Sequence, residues 1–202
     1  MVSEVLGLLG LLVASYLLGG IPFGYLYARF VKGVDIRTIG SGNVGATNVA
    51  RLYPPRAGIL VFLIVFTLDA GKGYAAVELL APLIKPAPAV EYVPVLAGLA
   101  AVLGHSFTPY LGFSGGKAVA TTFGVFIALE PVATLVALGV FFMVYAITRA
   151  VGAGSLAFAV ALPVAVFVHG EAHQSVGYLA VVLGILIVVR HRDNISKMLG
   201  KS

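Results

Sequence analysis

Long uncharged apolar stretches recur along the whole chain. The first, residues 5–28, runs for 24 residues without a charged side chain, and a transmembrane helix needs about 20. Of the 202 residues, 60% are hydrophobic and only 10% are charged, whereas a soluble domain is about 45–50% apolar and about 25% charged. A soluble globule of this size cannot bury so much apolar surface. The sequence therefore predicts an all-α integral membrane protein and excludes secreted disulfide scaffolds, disordered tails and ordinary cytosolic enzymes.

Charged residues and Gly/Pro clusters divide the chain into seven apolar stretches. We expect about seven transmembrane helices, near residues 4–28, 57–81, 88–104, 116–130, 131–148, 153–169 and 174–190. The third and fourth are short, so a re-entrant pair and two tilted, partly buried helices are both open interpretations. Residues 1–202 are expected to form a single multi-span domain.

Basic residues predict the orientation of these helices. With the N-terminus outside, 11 of the 13 Lys and Arg residues fall on cytoplasmic segments, Lys85 lies outside and Lys72 lies within the second stretch. Because Lys and Arg concentrate in cytoplasmic loops, we expect an outside N-terminus and a cytoplasmic C-terminus. This topology explains the net charge of +5, and no nucleic-acid partner is expected. The chain has no cysteine, which excludes disulfides and thiolate chemistry.

Polar residues gather in three segments on the predicted cytoplasmic side, and the first covers residues 40–51. Its small residues let backbone N–H groups approach a phosphate, beside a helix N-terminus whose dipole attracts anions. Arg51 can hold an anion through two parallel hydrogen bonds. The other residues of interest in this segment are Ser41, Gly42, Asn43, Gly45, Thr47 and Asn48. A flexible loop that caps a helix, with Arg51 serving only topology, is the alternative. The glycine spacing is not a dinucleotide fingerprint, because no strand precedes it.

The second segment, residues 104–121, repeats this pattern. Gly115, Gly116 and Lys117 open an apolar helix with a cation in its first turn, which the helix dipole disfavours. A bound anion would reconcile the two, although Lys117 is also explained as a topology residue. His105 is either a hydrogen-bonding residue at a helix end or a ligand.

The third segment, residues 190–194, ends the last stretch. His191 and Asn194 are three residues apart and share a face if the helix continues. The neighbouring Arg190 and Arg192 are explained equally well by topology or by anionic lipid headgroups.

Other ionisable residues are weaker candidates. His169 and His173 have a metal-ligand spacing, but no other ligand cluster accompanies them, so we expect a solvated loop and no metal site. Asp69 and Lys72 lie inside the second apolar stretch, where charges often serve function. Because their spacing permits a mutual ion pair, a structural role is expected.

Taken together, the three segments resemble those of the bacterial membrane glycerol-3-phosphate acyltransferases that use acyl phosphate as donor. Residues 40–51 are similar to the family's GSGN-x-GATN-x-x-R segment. His105 with residues 112–117 is similar to its H-x-F and GF-x-GGK segment, and residues 190–195 are similar to its RHR-E-NI segment. The resemblance runs along essentially the whole chain.

The resemblance implies a seven-span enzyme of the bacterial cell membrane whose active site faces the cytoplasm. Such an enzyme transfers a fatty acyl group from acyl phosphate to the 1-hydroxyl of sn-glycerol 3-phosphate. The products are lysophosphatidate and phosphate, and the reaction is the first step of phospholipid synthesis. No cofactor is implied. The implied partners are glycerol 3-phosphate, long-chain acyl phosphate, membrane lipid and a soluble enzyme that supplies acyl phosphate.

The resemblance also implies which residues form the site. The motif matches place Ser41, Arg51, Lys117, His191 and Asn194 around the phosphates and the attacking hydroxyl. The implied phosphate-binding residues are Gly42, Asn43, Gly45, Thr47, Asn48, Gly115, Gly116 and Ser155. Ser155 belongs to this set because Gly152 stands where a phosphate-binding serine is expected. Further departures from the family pattern are Ser114, Ala118 and Asp193, where lysine, glycine and glutamate are usual.

Two bases are open for the proton of the attacking hydroxyl. One is neutral His191, since histidine has an ordinary pKa of about 6.5. The other is a substrate phosphate oxygen, whose second pKa is about 6, and we favour this one. A membrane transporter of phosphate or a phosphorylated solute is the main alternative function, but its site would lie near the bilayer midplane. A non-catalytic scaffold, which predicts glycine-rich segments that tolerate substitution, is the third interpretation.

Overall fold

The computed structural model describes residues 2–84, 92–169 and 174–200, and every regular element in those ranges is helical. The α-helices there are α1 (Val2–Gly20), α2 (Phe23–Lys32), α3 (Ala46–Ala50), α4 (Pro55–Ala75), α5 (Val93–Ser106), α6 (Val119–Leu129), α7 (Pro131–Thr148), α8 (Val151–His169), α9 (Gln174–Arg190) and α10 (Arg192–Met198). A π-helical turn, Ala76–Leu80, and a 3-10 turn, Ala81–Leu83, extend α4. The all-helical prediction is confirmed for the described residues.

Several helices are long and apolar enough to cross a membrane. In the described ranges the five such segments are Val2–Lys32, Pro55–Leu83, Val93–Leu111, Pro131–Thr148 and Val151–His169. The α9–α10 pair makes a sixth if it is taken as one span bent by 59°, and α6 is a shorter apolar helix of 11 residues. These segments correspond to the seven predicted stretches. The sidedness of the termini stays a prediction.

Large apolar side chains cover the outer faces of the bundle. Leu6 on α1, Leu60 on α4, Phe142 on α7 and Val164 on α8 are all exposed. Exposed apolar surface on this scale is rare in soluble monomers and marks contact with a membrane or a partner. These outer faces are therefore suited to contact with lipid.

The first apolar stretch contains a break that the sequence did not predict. We expected one helix over residues 4–28, but α1 ends at Gly20 and α2 begins at Phe23. Pro22 lies at the break and has no backbone N–H to donate. The Ile21 carbonyl accepts a hydrogen bond from Lys72 Nζ at 2.8 Å. The Phe23 N–H also donates to this carbonyl, at 3.1 Å, so a buried side chain of α4 adds a second hydrogen bond at the break.

The two short helices, α5 and α6, lie inside the bundle. Nine of the 14 residues of α5 are buried, and α5 packs on α1 while α6 packs on α4. Gly104 lies against the Tyr16 carbonyl and Gly124 against the Ala70 carbonyl, so a Cβ at either position would overlap backbone. Small residues permit such close approach between membrane helices. The sequence left a re-entrant pair and two tilted, partly buried helices open here, and the structure shows two partly buried helices.

Two larger hydrophobic clusters hold the bundle together. One includes Phe126, Phe158 and Ile187 and joins α6, α8 and α9. The other includes Val49 and Val65 and joins α3 and α4 to the chain that precedes them. Each cluster also supplies a residue to the cavity described next, so the cavity lies where the two clusters meet.

Candidate active site

Residues from distant parts of the sequence line one cavity of about 630 Å³. This volume is within the usual range for small-molecule sites, about 300–1,000 Å³. All five residues implied at the reaction centre line it: Ser41, Arg51, Lys117, His191 and Asn194. Of the implied phosphate-binding residues, the ones that line it are Asn43, Gly45, Thr47, Asn48 and Ser155. The lining does not include Gly42, Gly115 or Gly116.

The loop before α3 is held in shape by one buried amide. Asn48 Oδ1 accepts from the Ser41 N–H at 3.1 Å. Asn48 Nδ2 donates to the carbonyls of Ile39 at 2.9 Å, Asn43 at 3.0 Å and Ile36 at 3.3 Å. This corrects the expectation from the sequence, because an amide that makes these four bonds has no donor left for a substrate. Asn48 instead fixes the loop that presents Ser41.

Two glycines in this loop are required by the backbone conformation. Gly40 and Gly42 have φ angles of +61° and +69°, which side chains other than glycine adopt at a cost. The Gly42 N–H donates to the Ile39 carbonyl at 3.1 Å, so it closes a turn and does not face the cavity. Gly45 also has its N–H in use, on Asn43 Oδ1 at 2.8 Å. The expected role of these N–H groups in holding a phosphate is therefore not met.

A short ion pair lies just before this loop. Arg37 donates through Nη2 to Asp35 Oδ2 at 2.6 Å, and through its backbone N–H to Oδ1 at 3.0 Å. The hydrogen bonds from Arg37 lower the pKa of the Asp35 carboxyl to about 2. Asp35 therefore stays ionised and caps the 3-10 turn Ile36–Thr38 over the physiological pH range.

The Gly115–Gly116 backbone is clamped between two neighbours. The Gly115 and Gly116 N–H groups donate to the carbonyls of Ser106 at 3.1 Å and His105 at 3.0 Å. Their own carbonyls accept from Arg190, at 2.7 Å for Gly115 and 3.2 Å for Gly116. The expectation that these N–H groups approach a phosphate is wrong for this structure. The sequence explained Arg190 by topology or by anionic lipid headgroups, and the structure shows that its side chain secures this loop.

Lys117 follows this clamp and extends into the cavity. It precedes the N-cap of α6, Ala118, which has a φ of +70°, so it lies before the helix and not in its first turn as predicted. Its Nζ donates to Asn194 Oδ1, which joins the second polar segment to the third. Burial lowers the pKa of the Lys117 ammonium, and the positive charges of Arg190, Lys197 and Arg51 act in the same direction while Asp193 opposes them. A bound anion would relieve this repulsion.

His191 occupies the bend between α9 and α10. It is 3% exposed, and its Nδ1 lies 2.8 Å from the Ile187 carbonyl. A carbonyl oxygen only accepts, so Nδ1 carries the proton, and in the neutral ring Nε2 is left with a lone pair. The helix does not continue straight to Asn194 as the spacing suggested, yet both side chains line the cavity.

Gly152 stands at the position where a phosphate-binding serine was expected, and Ser155 was expected to replace that serine. A Cβ at Gly152 would lie 2.6 Å from Asn194 Nδ2, so glycine at this position leaves room for Asn194. Ser155 is one turn further into α8, lines the cavity and donates its hydroxyl to the Val151 carbonyl at 3.0 Å. Its oxygen keeps acceptor capacity, and rotation of the hydroxyl would make it a donor.

Several cavity residues were missed by the reading of the sequence. Arg149 has a left-handed φ of +55° at the end of α7 and lines the cavity, but topology already explained its charge. The apolar part of the lining includes the aromatic residues Phe62, Phe66, Phe141 and Tyr145. Helices α4 and α7 each contribute two of these aromatic residues, spaced four apart. This helical spacing is the sequence pattern that could have indicated them.

The remaining candidates are the ionisable residues outside the three polar segments. Lys72 Nζ and Asp69 Oδ1 are 2.8 Å apart, which confirms the predicted ion pair. His169 Nδ1 lies 3.4 Å from Glu130 Oε2, and His173 lies outside the described residues. Among the residues that the structure describes, no three His, Cys, Asp or Glu side chains form a group that could hold a metal ion.

Fold and cavity together define a multi-span helical membrane protein with a site suited to a phosphorylated ligand that has an apolar part. The family model described as glycerol-3-phosphate acyltransferase matches residues 9–201. The chain belongs to this glycerol-3-phosphate acyltransferase family.

Named relatives and solved structures agree with the family model. A glycerol-3-phosphate acyltransferase of Anaeromyxobacter sp. (strain Fw109-5) is 42% identical over 98% of this chain and 95% of the relative. That of Synechococcus sp. (strain CC9902) is 44% identical over 94% of this chain and 90% of the relative. The crystal structure of PlsY, an integral membrane glycerol 3-phosphate acyltransferase, is similar in its glycerol 3-phosphate form, with a TM-score of 0.81, 37% identity and coverage of 96% of this chain and 94% of PlsY. Its lysophosphatidic acid form has a TM-score of 0.79. The resemblance stated from the sequence and the membrane fold class are confirmed.

Proposed function

We propose that this acyltransferase moves a fatty acyl group from long-chain acyl phosphate to the 1-hydroxyl of sn-glycerol 3-phosphate. The products are lysophosphatidate and inorganic phosphate, and the reaction begins phospholipid synthesis. The observation that carries the proposal is the cavity in which Arg51, Lys117, His191 and Asn194 meet an aromatic wall. A glycerolipid transferase needs both parts, because its two substrates are phosphorylated and one has a lipid tail.

Positive charge is the first contribution of the cavity. Two phosphates that approach each other each bring about 1.5–2 negative charges near neutral pH. Arg51 and Lys117 line the same cavity and offset this repulsion, as does Arg149 at its edge. Preorganised donors of this kind stabilise the charge that develops on the leaving phosphate. Asn194 holds Lys117 ready before any substrate binds.

The attacking hydroxyl must lose a proton as its oxygen bonds to the acyl carbon. Asp69 is the carboxylate among the described lining residues, and its ion pair with Lys72 makes it a poor base. A substrate phosphate oxygen takes the proton, the bond between the acyl carbon and the phosphate oxygen breaks, and the phosphate departs with the electron pair. His191 orients glycerol 3-phosphate by accepting a hydrogen bond at Nε2 from the neighbouring 2-hydroxyl, which keeps its proton, because Nδ1 is held by the Ile187 carbonyl.

Aromatic side chains on α4 and α7 supply the apolar part of the site. Phe62 and Phe66 are stacked with centroids 5.6 Å apart, and Phe141 and Tyr145 are stacked at 6.3 Å. These rings receive the first carbons of the acyl chain, and the rest of the tail stays in the bilayer. Proximity of the two reacting groups then provides much of the rate gain.

The basic residues on the polar segments support a cytoplasmic site in the bacterial cell membrane. Glycerol 3-phosphate then enters from the cytoplasm, acyl phosphate enters with its tail in lipid, and a soluble enzyme supplies the acyl phosphate. Accessibility of a cysteine introduced at Ser202 to an impermeant reagent tests this orientation. Labelling from outside intact cells would contradict it.

Purified protein in lipid nanodiscs tests the reaction. With acyl phosphate and labelled glycerol 3-phosphate, we expect lysophosphatidate and inorganic phosphate in a ratio of one to one. Acyl coenzyme A as the only donor should give no product. Uptake of labelled glycerol 3-phosphate into sealed vesicles without any acyl donor would favour the transporter.

The same assay separates the two candidate bases. If phosphate takes the proton, His191→Asn should keep measurable turnover with a weakened orientation of glycerol 3-phosphate. Loss of nearly all turnover at every pH would instead make His191 the base.

A further inference from the structure

Asp69, Lys72 and His105 form a buried polar cluster, and Asp69 and His105 also line the cavity. Asp69 and Lys72 on α4 are 2% and 3% exposed, and His105 at the end of α5 is 7% exposed. Lys72 Nζ lies 2.8 Å from Asp69 Oδ1, and it also donates to the Ile21 carbonyl. A buried charge must be paired, and these two charges pair with each other. His105 is therefore not needed to balance this ion pair, so the burial of its ring needs another explanation.

The His105 ring lies between Asp69 and Gly116. Its Nδ1 is 3.7 Å from Asp69 Oδ1. On the other side, the three atoms nearest to a Cβ built on Gly116 are His105 Nε2, Cε1 and Cδ2, with Cε1 at 2.6 Å. The space that a side chain at position 116 would use is thus filled by imidazole. The His105 carbonyl also accepts from the Gly116 N–H at 3.0 Å.

Gly116 is the residue directly before Lys117. Arg190 donates to its carbonyl, the His105 carbonyl accepts from its N–H, and the His105 ring fills the space that a Cβ would occupy. A shift of this peptide would move the Lys117 backbone and break the bond from Lys117 to Asn194. Misplacing a catalytic group by about 1 Å can cost 10²-fold in rate.

We propose that His105 is a positioning residue for Lys117: its ring, packed between Asp69 and Gly116, supports the Gly116 backbone and so sets where the Lys117 ammonium meets substrate phosphate. This inference rests on the proposed function, in which Lys117 contacts that phosphate. It also explains why glycine occupies position 116, where no φ angle demands it.

A second-site rescue tests the steric part. Gly116→Ala should lower kcat/KM about 10²-fold, and Gly116→Ala with His105→Ala should recover at least tenfold of this loss. Gly115→Ala is the matched control, because a Cβ there would meet the backbone carbonyls of His105 and Ser106, which no side-chain truncation removes. No rescue at position 116, or equal rescue at position 115, would overturn the proposal.

A double-mutant cycle with Lys117 tests the positioning itself, and it does not depend on the folding of the glycine variants. His105→Ala alone should raise the KM for glycerol 3-phosphate or acyl phosphate and lower kcat/KM by tenfold or more. In the Lys117→Ala background, adding His105→Ala should change kcat/KM less than twofold. An undiminished loss in that background would overturn the proposal. If Lys117→Ala itself keeps wild-type activity, the proposed function fails first, so the two failures are distinguishable.

Discussion

Two glycine-rich loops border the cavity, and they need glycine for different reasons. In the loop before α3, Gly40 and Gly42 have positive φ angles, and Asn48 holds the turn with four hydrogen bonds. In the Gly115–Gly116 loop neither glycine has a positive φ, and both are required because His105 and its neighbours leave no room for a Cβ. A single pattern in the sequence thus has one conformational and one steric cause.

The loops also deliver their cations differently. Arg51 ends α3 and is exposed, whereas Lys117 is half-buried and bonded to Asn194. The N–H groups of Gly42, Gly45, Gly115 and Gly116 are bonded within the protein and are not offered to the cavity. We therefore propose that side chains, and not these four N–H groups, contact the phosphates in both loops.

Removal of either cation should have the largest effect. We expect Lys117→Ala and Arg51→Ala each to lower turnover by about 10²–10³, the scale for a lost donor to developing negative charge. Phosphate release by purified protein measures this. Arg192→Ala is the matched control, because Arg192 is highly exposed beside Asp193 and does not line the cavity. Near-native turnover in both cavity variants would remove them from the site.

A smaller effect should follow from reversing one amide in the loop before α3. Asn48→Asp replaces a donor to three carbonyls by an acceptor, and each buried unpaired group costs about 1–3 kcal/mol. We expect the free energy of unfolding to fall by about 3 kcal/mol, measured by denaturant unfolding in detergent. Asn43→Asp should change it little, since Asn43 uses only its oxygen, to accept from Gly45. Equal losses in both variants would contradict this view of Asn48.

The smallest effect concerns the pH dependence of kcat/KM. Because burial lowers the pKa of Lys117, its charge is lost at a lower pH than that of an exposed lysine. The alkaline limb of kcat/KM, which reports the free enzyme, should therefore begin early. Lys117→Arg should move that limb to higher pH, because guanidinium stays charged. An unchanged limb would mean that Lys117 does not set it.

The sequence predicted the polar residues of the site better than its apolar residues. Ser41, Arg51, Lys117, His191 and Asn194 stand out because polar residues are rare in this chain, and all of them line the cavity. Phe62 and Phe141 were missed because an apolar residue has no contrast in a membrane helix. The helical architecture was predictable because the bilayer sets the length of each span.

Contacts between distant segments could not be read from the sequence. The partners of the Gly115 and Gly116 N–H groups are carbonyls at the end of α5, and their position depends on tertiary packing. Arg190 was already explained by topology or by anionic lipid headgroups, so its bonds to the same loop gave no separate signal. The break at Pro22 was hidden within an uncharged stretch, although proline is a known helix breaker.

A double-mutant cycle between Arg51 and Lys117 tests most directly whether the two loops serve one site. The measurement is kcat/KM for glycerol 3-phosphate in the wild type, the two alanine variants and the double variant. Residues that act as a unit are strongly non-additive, so the double variant should be at least tenfold more active than the product of the two single losses predicts. Losses that multiply would show that Arg51 and Lys117 act at separate places, and the shared cavity would not be the active site.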